Sequence, residues 1–362
     1  MTEYDYWLWL AYAKDMWNNK MHMLLQEFGS PREIYNASEK SLKSLGNIKD
    51  KDIDILMRHK KEFDVEKAKE MLNKKNINFT YYNSKNFPDK LKRIPSSPLV
   101  LFYKGKLPES TNKTVAIVGA RVCTEYGRSV AYKIAKELSL NGVCVISGLA
   151  RGIDSMAHIG CIDGDSCTYA VLGCGVDICY PRENIEVFNN ILNKGGIISE
   201  YIPGSEPLTY RFPERNRIIA GLADVVIMIE AKEKSGSFIT IDHALEQGKT
   251  VYALPGRLTD PLSVGCNRLI VDGAVPLVSS EQILQELRVE KIKENKKNNF
   301  FLEKEYEVLY SCLGLVPVSI DELIKATGLE ICKIYEGITY LQMNNMCKEV
   351  SKGQYTKISS AL

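Results

Sequence analysis

The chain reads as an α/β protein built on a doubly wound, mostly parallel sheet, with a helical segment before the sheet and a small helix-and-hairpin unit after it. Three observations carry this reading. Between Val115 and Gly256, short apolar runs alternate with stretches of helical length, the pattern of buried parallel strands covered by helices on both faces. Glycines and arginines gather where those runs end, in "VAIVGAR" (Val115–Arg121), "ISGLARGIDSMAH" (Ile146–His158), "VLGCGVDICYPREN" (Val171–Asn184), "FPERNRIIAGL" (Phe212–Leu222) and "EKSGSFIT" (Glu233–Thr240). A polar, lysine-rich stretch, "VEKIKENKKNN" (Val289–Asn299), then divides this region from a final segment too small to join the same sheet.

Taken in order, residues 1–82 form a helical region. Trp7, Leu8, Leu10, Ala11 and Ala13 give its first helix an apolar side, and Gly29 stops a second helix carrying Leu24, Leu25 and Phe28. "SLKSLGNIKDKDIDIL" (Ser41–Leu56) sets a glycine turn between two helices, like a helix-hairpin-helix or SAM-type domain. Residues 83–288 form the extended sheet domain. Ile77–Leu107 leads into it with two short strands around a proline-marked connection. Strands are predicted at Val115–Val118, Val143–Ser147, Thr168–Leu172, Gly196–Ser199, Val225–Glu230 and Thr250–Ala253, with helices between them, including Tyr126–Ser139 and Ile153–Ile162. Residues 289–299 are a linker. In 300–362 a helix (Glu303–Leu313), a Ser-started helix (Ser319–Leu329), a third helix (Ile331–Asn345) and a hairpin turning at Lys352–Gly353 follow the order of a winged helix.

The composition narrows the function. With 362 residues, 45% of them hydrophobic and 25% charged, the chain has an ordinary globular balance and room for two or three domains. A net charge of +2 is too small for the global field to attract nucleic acid, so any such binding needs a local patch. The ten cysteines lack metal-ligand spacing: "CGVDIC" (Cys174–Cys179) has no second pair and no nearby histidine. Free thiols in a reducing cytoplasm are expected, with no metal and no cofactor. The run Tyr6–Ala13 is too short to span a bilayer and follows Glu3 and Asp5 in place of a basic region, so no membrane insertion is expected.

In an open parallel sheet, ligands bind beyond the carboxyl ends of the strands, where the glycine and arginine motifs should converge. The first turn is not a dinucleotide fingerprint, because Arg121 stands where the second glycine belongs. No P-loop occurs, and "GCG" (Gly173–Gly175) is a lone G-x-G. Arg121, Arg151, Arg182, Arg215 and Arg217 fall on predicted strand-to-helix connections and together form an electropositive rim suited to several phosphates. Tyr180 and Phe212 beside them either stack on bases or pack in the crevice. No catalytic set is recognisable. His158 and Asp154 share one helix at i+4 spacing, but packing explains the histidine better, and Glu230 has no partner that the sequence identifies.

"VAIVGAR", "SGLARGIDSMAH", "LGCGVDICYPREN", "SEYIPGSEPLTYRFPERNRIIAGL", "EAKEKSGSFITIDHALEQGKTVYALPG" and "GCNRLIVDGA" resemble, in order and spacing, the motifs of the DNA-processing protein A (DprA/Smf) family, from about Phe87 to Ala274. The chain departs from the family at "QMNNM" (Gln342–Met346), where many members carry a glycine, and at Arg182, where lysine is frequent. The resemblance implies a non-enzymatic bacterial mediator of recombination with a Rossmann-like domain. Such proteins bind single-stranded DNA, protect incoming strands during natural transformation, load the RecA recombinase and form homodimers. Carried over by motif, Arg121 and Arg182 are the best phosphate contacts. Gly119, Gly148, Gly152 and Asn184 shape the pocket, with Arg215, Asn216 and Arg217 close by.

Two rivals stand beside this reading. Nucleotide-cleaving Rossmann-like hydrolases use a "PGG" loop and a nearby glutamate; here "LPGRLTD" (Leu254–Asp260) follows a different strand. A regulator reading double-stranded DNA through the winged helix is the other. Its presumed recognition helix has Lys333 as the one basic residue between Ile331 and Gln342.

Overall fold

The computed structural model describes residues 1–13, 18–46, 48–291, 304–314, 316–344 and 346–358. Most of the expected linker, residues 292–299, lies outside them, as do Glu303 and Asn345 at the expected ends of two helices.

Among the described residues the main sheet has nine strands: β1 (Asn78–Tyr81), β2 (Val100–Gly105), β3 (Thr114–Val118), β4 (Cys144–Ser147), β5 (Thr168–Val171), β6 (Gly196–Ser199), β7 (Val225–Met228), β8 (Thr250–Ala253) and β9 (Val275–Pro276). Their spatial order is β1-β2-β6-β5-β4-β3-β7-β8-β9. β6 through β9 run parallel, while β1 and β2 add an antiparallel edge. The chain builds outward from β3 to β6, then returns to start β7 on the other side of β3. That reversal leaves a crevice at the carboxyl ends of β3 and β7. β1 falls on the amino side of the boundary expected at residue 82, yet its Phe79 pairs with Phe102 of β2, so the chain joins the sheet before that point.

Side chains alternate between two cores because successive strand residues face opposite ways. Val115, Ile117, Val145, Val225 and Ile227 pack under the helices Glu125–Leu140 and Ile153–Asp163. Ala116, Val118, Ile146, Val226 and Met228 pack under Arg211–Leu222, Ser237–Glu246 and Val264–Val271.

The amino-terminal helices are Glu3–Ala11, Asn18–Phe28, Pro31–Asn36, Glu39–Lys43, Asp50–Glu62 and Val65–Lys74. The first begins at a reciprocal cap between Thr2 and Asp5. It is buried on more than the single side the sequence predicts, with Trp7, Leu8, Trp9 and Leu10 each at most 2% exposed. These residues share a core with Phe79, Phe102, Leu172 and Ile197, so the helices and one sheet face exclude water together.

The last segment has its own core of Leu309, Leu323, Ile334, Ile338, Leu341 and Tyr355. It comprises the helices Lys304–Cys312, Ile320–Thr327 and Ile331–Met343 and the strands β10 (Val318–Ser319), β11 (Cys347–Ser351) and β12 (Gln354–Lys357), ordered β10-β12-β11. Ser319 caps the second helix with Glu322, and Gly328 ends it in the left-handed conformation. Among the described residues no helix is long and apolar enough to cross a membrane.

Arg217 ties three parts of the main domain together. Its guanidinium donates to both oxygens of Glu200 (2.8 and 2.7 Å), just past β6, and to the Ser96 carbonyl (2.9 Å) ahead of β2. Removing one partner of a buried pair strands the other charge. Arg217→Ala is therefore expected to lower unfolding stability by about 3 kcal/mol, read as a fall in the urea midpoint. Replacing Glu200 as well with an apolar residue should recover part of the loss.

Candidate nucleic-acid interface

The crevice is framed by turns that follow β3, β4 and β5, and their geometry is set by a few close contacts. Gly119 follows β3, and a side chain there would meet Ile153 Cγ1 at 2.8 Å. Gly152 opens the helix Ile153–Asp163 with φ +74, and a Cβ would lie 2.4 Å from the Ala120 carbonyl oxygen. Only glycine satisfies both demands. The Ile153 N–H donates to that carbonyl (3.2 Å), locking the "GAR" turn onto the second strand-to-helix connection.

The turn after β4 is held from both sides. Asp154 Oδ2 accepts from the Gly148 N–H (3.1 Å) and the Ala150 N–H (3.4 Å). Asn184 Nδ2 donates to the carbonyls of Leu149 (2.9 Å) and Ala150 (3.2 Å). Between them Leu149 sits at φ +56, a left-handed conformation rare for a leucine, with its side chain fully buried. Backbone strain of this kind persists where the surroundings fix it. Asn184 thus holds this turn from a separate stretch of the chain.

The arginines divide into two classes. Arg121 and Arg182 are exposed, and neither has an ion-pair partner among the described residues. Arg121 has its guanidinium carbon 5.6 Å from the centroid of the Phe212 ring. Phe212 in turn stacks on Tyr180, with centroids 5.6 Å apart and planes 27° from parallel. Tyr180 remains 44% exposed, so one aromatic face stays open to solvent. Arg151 is also exposed, but it makes a bidentate pair with Glu183 (2.6 and 2.7 Å).

Arg215 and Arg217 correct the sequence reading. Neither lies on a strand-to-helix connection: both are inside the helix Arg211–Leu222, and both are buried. Arg215 donates to the carbonyls of Gly148 (3.0 Å) and Val171, and its Nε donates to Asn216 Oδ1 (3.2 Å). Burial pushes its pKa down to about 10, with the Asp154 charge opposing the shift. A Cβ on Gly148 would meet this guanidinium at 2.6 Å, so the glycine leaves room for it under the pocket floor. Arg217 is spent on Glu200, away from the crevice. Asn216, half-buried, faces Arg215. The structure thus brings Gly119, Arg121, Gly148, Arg151, Gly152, Arg182, Asn184 and Arg215 to one edge with Tyr180 and Phe212, and sets Arg217 apart.

The titratable groups weighed for chemistry are committed elsewhere. His158 is completely buried with Nδ1 2.7 Å from Thr168 Oγ1; burial and then the Arg215 charge push its pKa down to about 3, so it stays neutral. Glu230 accepts from the Thr124 N–H (2.9 Å) and its hydroxyl, sealing the start of the helix Glu125–Leu140. Burial raises its pKa while the Thr124 bonds oppose the rise. Ser237 Oγ donates to the Gly119 carbonyl (2.9 Å), a support that the sequence signalled only through "SGS". Two exposed cations and a partly exposed tyrosine ring beside a rigid glycine floor have the chemistry to accept a phosphate and a stacked ring.

Residues 78–288 match the sequence model of the family described as DNA recombination-mediator protein A. The DNA processing protein DprA of Streptococcus pneumoniae is 43% identical over 200 residues, which cover 55% of this chain and 71% of that protein. The X-ray structure of DprA from Streptococcus pneumoniae superposes with a TM-score of 0.68 at 32% identity, over 80% of this chain and 99% of that one. DNA processing protein A from Helicobacter pylori, described for its single-stranded DNA binding mode, superposes with a TM-score of 0.53 at 30% identity, over 59% of this chain and 97% of that one. Matching motifs, fold and the family model agree, and the chain belongs to the DNA recombination-mediator protein A family, the DprA/Smf proteins.

Proposed function

We propose that this chain binds single-stranded DNA across the carboxyl edge of its sheet, with little sequence preference, and presents the strand to a recombinase of the RecA class during DNA uptake and recombination. The observation that carries the reading is the pairing of Arg121 and Arg182, both exposed and without an ion-pair partner among the described residues, with the stacked Phe212–Tyr180 platform. Phosphates go to the arginines and a base to the open tyrosine face, which reads no sequence because every base has a π-face. Arg151 joins the rim to the extent that phosphate displaces Glu183. Gly119, Gly148, Gly152 and Asn184 hold the floor, Arg215 supports it from below, and Asn216 orients Arg215.

The same proposal assigns residues 1–82, 83–288 and 300–362 to a helical, a Rossmann-like and a winged-helix domain, in a cytoplasmic protein acting as a homodimer. The hydrolase reading is weakened by Glu230, whose carboxylate is occupied by Thr124 and packed against Gly127. The duplex regulator is weakened by the exposed face of the helix Ile331–Met343. Ile331, Tyr335, Tyr340 and Met343 stand out there, favouring contact with protein over a phosphate backbone.

Arg121→Ala and Arg182→Ala are each expected to weaken binding to a single-stranded oligonucleotide several-fold while Tm stays within a degree or so of wild type, since both side chains are exposed. Each lost phosphate contact should flatten the log–log salt dependence by about 0.7. Unchanged affinity in the double variant removes this edge as the binding site. Tyr180→Ala should cost about 1–3 kcal/mol of single-strand affinity. A chain ending at Leu287 should keep that affinity; loss of all DNA binding on this truncation returns the function to the last domain.

A further inference from the structure

We propose that Asp177 is the positioning residue of the aromatic platform at the carboxyl edge, holding together the two chain segments that carry Tyr180 and Phe212. This role rests on the reading of those rings, given above, as the surface on which a base stacks. The first segment runs from Cys174 to Asn184 and the second from Gly204 to Phe212, and neither contains a strand residue. The two rings stack at 5.6 Å between centroids. How the segments sit against each other therefore decides whether a flat face is offered to a base at all.

Asp177 joins them. Its Oδ1 accepts from the Gly204 N–H (2.8 Å), and its Oδ2 accepts from Lys75 Nζ (2.6 Å), at the end of the helix Val65–Lys74. The carboxylate is 11% exposed. Burial opposes its ionisation, but the bonds from Lys75 and Gly204 outweigh this and hold its pKa below the ordinary value, so it stays an anion. A second rung lies beside the first, where the Gly175 N–H donates to the Ser205 carbonyl (2.9 Å). A Cβ on Gly175 would come within 2.7 Å of both Asp177 Oδ1 and the Gly204 nitrogen, so the glycine leaves room for the joint.

Each ring is a short step from this joint. Tyr180 follows Asp177 by three residues, and the intervening Ile178 and Cys179 pack against the core shared by the amino-terminal helices and the sheet. On the other side, Arg211 Nη1 donates to the Glu206 carbonyl (2.7 Å), two residues past Gly204, and Phe212 comes next. Asn184 fixes the far end of the first segment to the turn after β4, and Asp177 fixes its near end to the second segment. Charge and position make opposite demands here. A carboxylate close to a phosphate-binding edge repels the strand, so removing it would by charge alone tighten binding. A positioning role predicts the reverse.

The test measures the affinity of the full chain for a fluorescent single-stranded oligonucleotide across a salt titration, with Tm as the check on folding. Asp177→Ala should weaken binding about fivefold or more, the lower end of what one stacked base contributes. Its log–log salt slope should match wild type, because Arg121 and Arg182 keep their phosphates. Asp177→Asn removes the same charge but keeps an acceptor for the Gly204 N–H, and should recover most of the loss. Asp177→Ala/Tyr180→Ala should bind as Tyr180→Ala does, since both changes remove the same stacked face. If the alanine variant does not fold, Asp177→Ser, too short to span to Gly204, gives the same comparison. Tighter or unchanged binding in Asp177→Ala, a flattened salt slope, or losses that add in the double variant overturn the proposal. Full affinity in Tyr180→Ala overturns the platform and this role with it, whereas loss in Tyr180→Ala with none in Asp177→Ala overturns this role alone.

Discussion

Placing the Arg215 guanidinium beneath the carboxyl edge of the sheet commits everything around it to one arrangement. A buried guanidinium keeps its charge and must spend its donors on fixed acceptors, since an unpaired one would carry the full desolvation penalty. Its acceptors are the carbonyls that end β4 and β5, Gly148 and Val171, together with Asn216 of its own helix. The helix Arg211–Leu222 is thereby pinned across the strand ends. Gly148 has to be glycine to leave room, Asp154 has to stay close to balance the charge, and Phe212, one turn earlier, is presented to Tyr180 and Arg121. The platform at the surface is a consequence of the charge below it.

This division of labour among arginines explains how a chain with a net charge of +2 offers a basic edge. Buried arginines neutralised by carbonyls and carboxylates supply rigidity, and the exposed pair supplies the field. Glu183 neutralises Arg151 and Glu200 neutralises Arg217, which leaves Arg121 and Arg182 among the exposed cations of this edge without an ion-pair partner among the described residues.

The strands were legible because their apolar runs are short, wholly buried and bounded by glycine, and the structure places them within a residue or two of where the pattern does. The glycine turns were legible for the same reason: Gly119 and Gly152 stand where strand meets helix. The fate of the arginines was not. Arg215 and Arg217 follow "FPE", which reads as a connection, and only the packed helix shows that residues two apart turn their side chains toward different buried partners. Leu149 gave no signal at all, because its left-handed backbone is imposed by Asp154 and Asn184 from other parts of the chain. The second strand edge, β9, was missed because two residues carry no periodicity.

The shared core of Trp7, Trp9, Phe79 and Phe102 has a mechanical meaning. The first helix is wedged against the sheet's antiparallel edge, and it cannot leave without exposing two indoles and a strand pair to water. The amino-terminal helices and the sheet then melt as one cooperative unit, whereas the last segment, with a core of its own, is free to melt separately. A partner that grips those helices accordingly pulls on the frame of the sheet's carboxyl edge, whereas the last segment reaches the main domain through the exposed Lys348–Glu125 pair.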